Sequence, residues 1–564
     1  SGMPFGLQIM LTCLPACIHN DDPLNILDLD NAFNIIKERL EHDNYIEGLI
    51  EKHLINNTHK LNYSLVPDVE FNKKNEDHIN KKIIEKTKNL TENDKNKIVE
   101  LAQALEERQE KIDDPETLPK VTKEDIPVSR KYPMPSVSSS NNIENYYYKS
   151  GTNGLVYHTM LFPCESLTNE ELQISSLYTS SLTDIGLGSE SYEQVQKYQS
   201  SITGGISATF TMIPSEDNSE QRLALKVSGK SLEKNAHLMQ ELILKTVHEA
   251  NFDENKRIQE LLTFISADNE QSLTQNGHVL AMANAAAQIT PEASTNDITS
   301  GIRFINNTGI LSKNIKDDSA LDSYIKNLKS IQSKISSIPK YIFTASSLEE
   351  DQLNLKISHD MHAHNVNNQN YVEIQHDSIG WITGSQVCFC AEAFPTVESS
   401  HKDAPALSVL GAVLRNGYLH SAIREKGGAY GSGAMQDSNN KVFKFFSYRD
   451  PKCSETFAEF KNSRDWSLSN ISEAQLDEGI LGVISSIDKP MSPYGEAMSD
   501  FMNELDHKKQ EDRLIFRNRV KECSVNDLVR VSKKYLFNES KRSVIAGESF
   551  QDEIQEMGFK LKNI

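Results

Sequence analysis

Hydrophobic positions change period along this chain, and the changes mark out its organisation. Over residues 4–65 they recur at helical steps: Leu24, Leu27, Phe33, Ile36 and Leu40, then Ile46, Leu49, Ile50, His53 and Leu54. No strand pattern accompanies them, so residues 4–70 read as the helical tail of a domain whose body lies upstream. Residues 71–130 are charged and lysine-rich. Thr91 and Asp94 form a capping box for a helix carrying Ile98, Leu101, Leu105 and Ile112 on one side. Asp113-Asp-Pro115, Leu118-Pro119 and Ile126-Pro127 then interrupt regular structure, which predicts a charged helical connector.

From Tyr146 the period drops to two. Val156–Phe162 alternates as a strand, and two helical stretches lead to Thr203-Gly204-Gly205 and a strand over Ile206–Met212. The scheme recurs about 220 residues later. A strand over Ser385–Ala391 is followed by a helix from about Ala404, Gly427-Gly428, and a strand reaching Met435. Strands Arg222–Val227 and Val442–Phe446 end on Ser228 and Ser447, and a helix follows each. Asp450 and Pro451 suit the start of the second such helix. The repeat predicts an α+β fold of two related domains, 145–355 and 365–564, each an antiparallel-rich sheet covered by helices. Their boundary falls near His359–Asn370, a polar, asparagine-rich stretch.

Composition narrows the picture. The chain has 564 residues, 38 % of them hydrophobic, enough for more than one core. A net charge of −21 argues against a nucleic-acid partner, whose phosphates need a basic surface. Phe5–Ile18 is too short to span a bilayer and contains Pro15, so no membrane segment is expected. Ser1-Gly2-Met3 reads as an expression remnant outside the fold. Seven cysteines, an odd number thinly spread, point to free thiols in a reducing compartment.

The densest chemistry lies in Arg424-Glu-Lys-Gly-Gly-Ala-Tyr-Gly-Ser-Gly-Ala434. A helical run through Leu407, Leu410, Leu414, Tyr418 and Ala422 leads into it, and Gly427-Gly428 stops the helix. A fixed cation, Arg424, and a phenol, Tyr430, therefore flank one tight corner. Two donors so held suit a carbonyl oxygen or a developing oxyanion. The plainer reading is a helix stop with a solvated last-turn arginine. Thr203-Gly204-Gly205 occupies the matching place in the first copy without the arginine or the tyrosine. Tyr448 and Arg449, at a strand end, serve sheet closure or substrate contact equally well. Trp381 reads as a core or interface anchor.

The string Tyr418-Leu-His-Ser-Ala-Ile-Arg-Glu-Lys-Gly-Gly-Ala-Tyr-Gly431, with Phe446-Ser-Tyr-Arg-Asp-Pro451, resembles the last domain of the presequence-protease and falcilysin branch of the pitrilysin/insulinase zinc metallopeptidases. Asp22-Pro23, Tyr45–His59, Leu118-Pro119, Asp125-Ile126-Pro127 and Thr203–Ser207 resemble it in the same order, so the likeness covers the chain after residue 3. The resemblance implies the third and fourth of four pitrilysin-like domains, with 71–130 joining the two halves. It also implies a closed chamber for unfolded peptide substrates, and zinc in an upstream His-x-x-Glu-His motif. In that setting Arg424 and Tyr430 are catalytic contacts, and Gly427 and Gly428 help bind substrate.

The zinc motif itself is not here. Two histidines four apart on one helix face would hold the ion, and none of the sixteen histidines has such a partner. His248-Glu249 stands alone, and no cofactor is expected in this chain. His359, His362 and His364 with Asp360 read as a polar linker before a metal site; Cys13, Cys17 and His19 as a buried helix flank; Cys388 and Cys390 as core. The expected function is thus the C-terminal half of a zinc metalloendopeptidase, inactive alone and partnered by its N-terminal catalytic half. The rivals are a natural non-catalytic partner subunit or peptide-binding scaffold and, more remotely, a hydrolase using a metal at 359–364.

Overall fold

The computed structural model describes residues 5–41, 44–68, 70–88, 90–110, 121–214, 221–355, 372–374 and 377–564. Asp113–Pro115, Leu118-Pro119, the histidines of 359–364 and the His359–Asn370 boundary lie outside them. The chain forms two compact units, 1–121 and 122–564.

The first unit is helical: Phe5–Ile18, Pro23–Leu27, Leu29–Leu40, Tyr45–Ile50 running into the π-wound Glu51–Ile55, Phe71–Thr87 and Glu92–Glu110. The capping box forms, with the Asp94 amide donating to Thr91 Oγ1 at 3.2 Å and the Thr91 amide to the Asp94 carboxylate at 3.0 Å. The apolar faces form too, yet little covers them: Met10, Ile18, Leu24, Phe33, Ile46 and Leu54 are 53–67 % exposed. Cys17 is exposed rather than a buried flank. Among the described residues no helix is long and apolar enough to cross a membrane.

The second unit holds two six-stranded sheets. The first contains β1 (Ser136–Ser140), β2 (Ile143–Lys149), β3 (Leu155–Pro163), β4 (Ile206–Pro214), β5 (Gln221–Leu232) and β6 (Tyr341–Ser346). The second contains β7 (Ile379–Thr383), β8 (Phe389–Pro395), β9 (Gly431–Asp437), β10 (Val442–Tyr448), β11 (Lys541–Gly547) and β12 (Lys560–Asn563). Their orders are β1-β2-β6-β3-β5-β4 and β12-β7-β11-β8-β10-β9. From the second strand inward the orders coincide, and β2 runs parallel to β6 as β7 does to β11. The fold is therefore α+β, with two related domains.

Register refines the repeat. Ser207 pairs with Ser228, and Ser432 with Ser447. The positive-φ glycines Gly205 (φ +114°) and Gly428 (φ +87°) precede those ladders by unequal steps, two residues before Ser207 and four before Ser432. Gly204 thus shares its ladder position with Ala429 rather than Gly427, and the second copy gains Ala429 and Tyr430. Two boundaries also move. Ser385–Val387 forms a turn, closed by Ser385 Oγ donating to the Val387 carbonyl at 3.0 Å, and the strand begins at Phe389. The helix after β10 begins at Ser454, because Asp450 spends its carboxylate on the Lys452 amide (3.0 Å) and Thr456 hydroxyl (2.7 Å).

Each sheet is covered on both faces. Alternation along β8 and β11 sends Phe389, Ala391, Ala393 and Ile545 towards helices of the first domain, and Cys388, Cys390, Val544 and Ala546 towards those of the second. The long helix Asn255–Ala286 lies on the former face, so close at Gly277 that an added Cβ would stand 2.5 Å from the Phe389 ring. In return, Ala497, Phe501 and Leu505 of the helix Pro493–Leu505 cover Leu161, Phe343 and Ala345 on the first sheet. Asn284 pins the long helix. Its Oδ1 accepts from Trp381 Nε1 (3.2 Å) and Ser543 Oγ (2.9 Å), and its Nδ2 donates to Asp297 (2.8 Å), which Arg303 pairs at 2.7 Å. Trp381 is fully buried, an interface anchor as expected.

Gly277→Ala places a methyl group against a ring with nowhere to go, and overpacking of this kind costs about 1–3 kcal/mol. A lowered denaturation midpoint is expected; an unchanged one would show that the helix does not bear on β8 this closely.

Candidate functional site

The corner is built from the helix that enters it. Asp403, fully buried, precedes Ala404–Leu414 and accepts from Arg530 (2.6 Å), Lys534 (2.8 Å) and Tyr535 (2.8 Å). Burial alone would raise its carboxyl, but donations from Lys534, Arg530 and Tyr535 outweigh it and hold the group well below the usual carboxylate range. Beyond Leu414 the winding changes, and Arg415–Lys426 forms a π-helix. The expected α-helical face would bury Tyr418 and Ala422; the buried positions are instead Leu414, Leu419 and Ile423. A five-residue step from Leu414 to Leu419 fits the wider winding, which recurs at functional sites.

The two glycines end this helix for different reasons. Gly427 has an ordinary φ of −78°, but a Cβ there would stand 2.4 Å from the Ile423 carbonyl oxygen. Gly428 supplies the left-handed φ of +87°. The Gly428 amide donates to Arg424 O and the Ala429 amide to Ile423 O, both at 3.1 Å. Tyr430 follows, its amide shared between Tyr448 O (3.0 Å) and Arg449 O (3.3 Å). Ser432 Oγ ties the new strand back to Leu419 O at 3.0 Å. The backbone is thus fixed on both sides of a side chain that is 69 % exposed. The Tyr430 ring rests edge-on against Tyr448, 5.7 Å between centroids.

Arg424 is exposed at the other end of the turn, and its Nη1 lies 3.0 Å from His420 Nε2. A guanidinium only donates, so Nε2 accepts and the ring proton resides on Nδ1. That atom faces Glu425 Oε1 at 3.6 Å. His420 thereby orients the guanidinium. The sequence offers one signal for it, the four-residue step to Arg424, which the reading above leaves unused. Two further residues reach the corner from elsewhere. Arg449 holds a left-handed φ of +49° and places its guanidinium 5.4 Å from the Tyr448 ring centre. His278, on Asn255–Ala286, lies 4.6 Å from the same ring, and burial lowers its pKa, so it stands there neutral. No period or spacing links His278 to residues so far along the chain.

In the first domain the Gly204-Gly205 turn carries no comparable pair, as expected. His248 Nε2 contacts the Ser337 carbonyl oxygen at 2.7 Å. Among the described residues, no cluster of metal-ligating type includes a histidine. A cavity of about 1480 Å³ lies among Thr209, Met212, Asn296, Lys441, Asp500 and Arg513. Neither Arg424 nor Tyr430 lines it, so the corner is an open surface.

The family described as associated with peptidases of class M16, subclass C, matches residues 65–310, and the PreP C-terminal domain matches 383–546. The mitochondrial presequence protease of Yarrowia lipolytica is 28 % identical over 96 % of this chain and 55 % of its own length. That of Saccharomyces cerevisiae is 28 % identical over 99 % and 58 %, and that of Drosophila melanogaster 26 % over 95 % and 52 %. The chain spans about half the length of these relatives. A Helicobacter pylori protease structure aligns with a TM-score of 0.51 at 14 % identity, over 74 % of this chain and all of that one. A conserved Enterococcus faecalis protein aligns with a TM-score of 0.51 at 12 % identity, over 73 % and 97 %.

Asp403 offers a pH test of how the entering helix is held. Its folded pKa lies below the unfolded value of about 3.9, so its contribution is whole above that value and is lost as pH falls through the folded one. Asp403→Asn should cost about 1–3 kcal/mol at pH 7. The gap between variant and wild-type urea midpoints should narrow as pH drops below about 4. A gap constant from pH 7 to 3 would remove the carboxylate from the account.

Proposed function

Because the chain belongs to the presequence-protease branch of the pitrilysin-type peptidases, we propose that it is the C-terminal half of a zinc metalloendopeptidase that degrades unfolded peptides in a closed chamber. The observation that carries the reading is the corner. A cation oriented by His420 and a phenol braced on Tyr448 stand open to solvent on a backbone that is fixed on both sides. Such a pair is half of a site. It can grip a substrate carbonyl or the oxyanion that develops there, but it supplies neither a nucleophile nor a base to make one.

The residues of this chain do not fit the family's zinc centre, since no two histidines stand four apart. We assign that centre to the upstream half, and derive no step through it. What this half does is bind and orient. Arg424 presents a planar fork, fixed by His420, to a carbonyl or carboxylate oxygen. Tyr430 offers a single hydroxyl that no described residue occupies. An enclosed, dry site strengthens both contacts.

The helices of 5–55 suit the same reading. Exposed apolar faces on a strongly charged chain mark a surface that another body covers, and the upstream half is that body. The seven thiols are all unpaired, which suits a reducing compartment, and the relatives named above are mitochondrial.

The chain alone should leave a quenched unstructured peptide uncut, and cleavage should appear when the upstream half is added. In that reconstituted enzyme, Tyr430→Phe keeps the ring and its packing but deletes the donor. It should lower kcat by roughly 10²–10³ with little change in KM. Arg424→Lys keeps the charge, loses the fork and should be impaired in the same sense. Wild-type turnover in a well-folded Tyr430→Phe enzyme would leave the corner as a helix stop. A peptide bound but never cut, in every combination of halves, would favour a non-catalytic scaffold.

A further inference from the structure

Three thiols meet behind the corner. Cys388 and Cys390 occupy the face of β8 turned away from the Asn255–Ala286 helix, and Cys453 stands at the N-terminus of the helix Ser454–Trp466. All three are fully buried. The Sγ atoms of Cys388 and Cys390 are 3.8 Å apart, those of Cys390 and Cys453 3.7 Å, and no pair exceeds 4.8 Å. No disulfide links them. An equilateral triangle with sides of about 3.8 Å has its centre about 2.2 Å from each corner, close to the zinc–sulfur bond of about 2.3 Å. The Lys452 carbonyl oxygen, 3.1 Å from Cys388 Sγ, borders the cluster.

Other features favour thiolates there. The N-terminus of the Ser454–Trp466 helix presents partial positive charge to Cys453. S–H donation from Cys388 and Cys390 works in the same direction on the Cys453 sulfur. The sequence showed Cys388 and Cys390 as two core residues of one strand and placed no metal in this chain. Cys453, 63 positions beyond Cys390, is brought in only by the fold.

We propose that Cys388, Cys390 and Cys453 bind one thiophilic d¹⁰ metal ion, Zn²⁺ or Cu⁺, as a structural site separate from any catalytic zinc. On binding, each ligating S–H gives its proton to solvent as the sulfur–metal bond forms, and nothing is oxidised. The ion staples β8 to the start of the helix that follows β10. Between them lies the backbone pair Cys388–Asp450, joined by bonds of 2.8 and 2.9 Å, and Arg449 precedes Asp450 directly. The staple therefore lies behind the strand end whose carbonyls hold the Tyr430 amide.

Cadmium is the probe that reports sulfur. The reduced, demetallated 564-residue chain is titrated with Cd²⁺ while thiolate-to-cadmium charge-transfer absorption is followed. The band should saturate at one equivalent, Zn²⁺ and Cu⁺ should displace the cadmium, and the thermal midpoint should rise with metal. Cys390→Ser and Cys453→Ser should abolish the band. A variant with His359, His362 and His364 all changed to Ala should keep it, which separates the cluster from adventitious histidine binding. X-ray absorption of the zinc-loaded wild-type chain gives a second measurement that needs no variant, and it should show three sulfur neighbours. No band at one equivalent, a band that survives Cys390→Ser, or a nitrogen- and oxygen-only shell would each overturn the proposal. So would a disulfide among the three cysteines in protein isolated without reductant.

Discussion

The second sheet has no solvent face, and much of the structure follows from that constraint. A strand covered on both sides cannot alternate apolar with polar residues, so β8 reads Phe389-Cys-Ala-Glu-Ala-Phe-Pro395, nearly apolar throughout. One cover comes from its own domain and the other from the long helix of the first domain. That helix approaches so closely that only glycine fits at 277. Close approach needs a fixed register, and Asn284 supplies it with directional bonds to Trp381, Ser543 and Asp297. A purely apolar contact would let the helix slide; an unsatisfied amide in a dry interior makes sliding costly. The helix Pro493–Leu505 returns the arrangement on the first sheet, so each domain completes the core of the other.

This reciprocity explains what was legible in the sequence. Strand alternation, glycine stops and the serine-ended strands are local signals, and they gave the strand order its two copies. The covering helices were legible as helices but not as neighbours of the other domain's sheet, because periodicity reports that a face is buried and not by what. The π-winding of Arg415–Lys426 was hidden for a related reason. Leu414, Tyr418 and Ala422 satisfy the ordinary helical period well, and only packing against Trp466, which crowds Gly417, and the tie from Ser432 to Leu419 show the wider turn. Arg424 and Tyr430 were readable because both belong to one short string. His420 was within reach of the same string, whereas His278 and Arg449 depend on a backbone conformation and an interdomain contact.

The corner joins rigidity with exposure. Its backbone amides are committed within the protein, to Arg424 O, Ile423 O, Tyr448 O and Arg449 O, while its two side chains face outward. Loop flexibility is thus kept out of the one place where donor position matters most. The cost appears as unusual backbone: a left-handed glycine at 428, a left-handed arginine at 449 and a stretch of π-helix, all next to one another in space or sequence.

Comparison of the two ladders shows how little separates a plain turn from this corner. Gly205 and Gly428 make the same left-handed bend, the serine pairs beyond them match, and Ala429-Tyr430 is what lies between. The tyrosine is an insertion, not a replacement of an existing turn residue. An in-frame deletion of two codons would therefore erase the phenol in one event, leave the sheet register and the fold intact, and turn the second copy back into a likeness of the first. Loss of activity along such a lineage would be recorded in loop length, where substitution-based comparisons do not look.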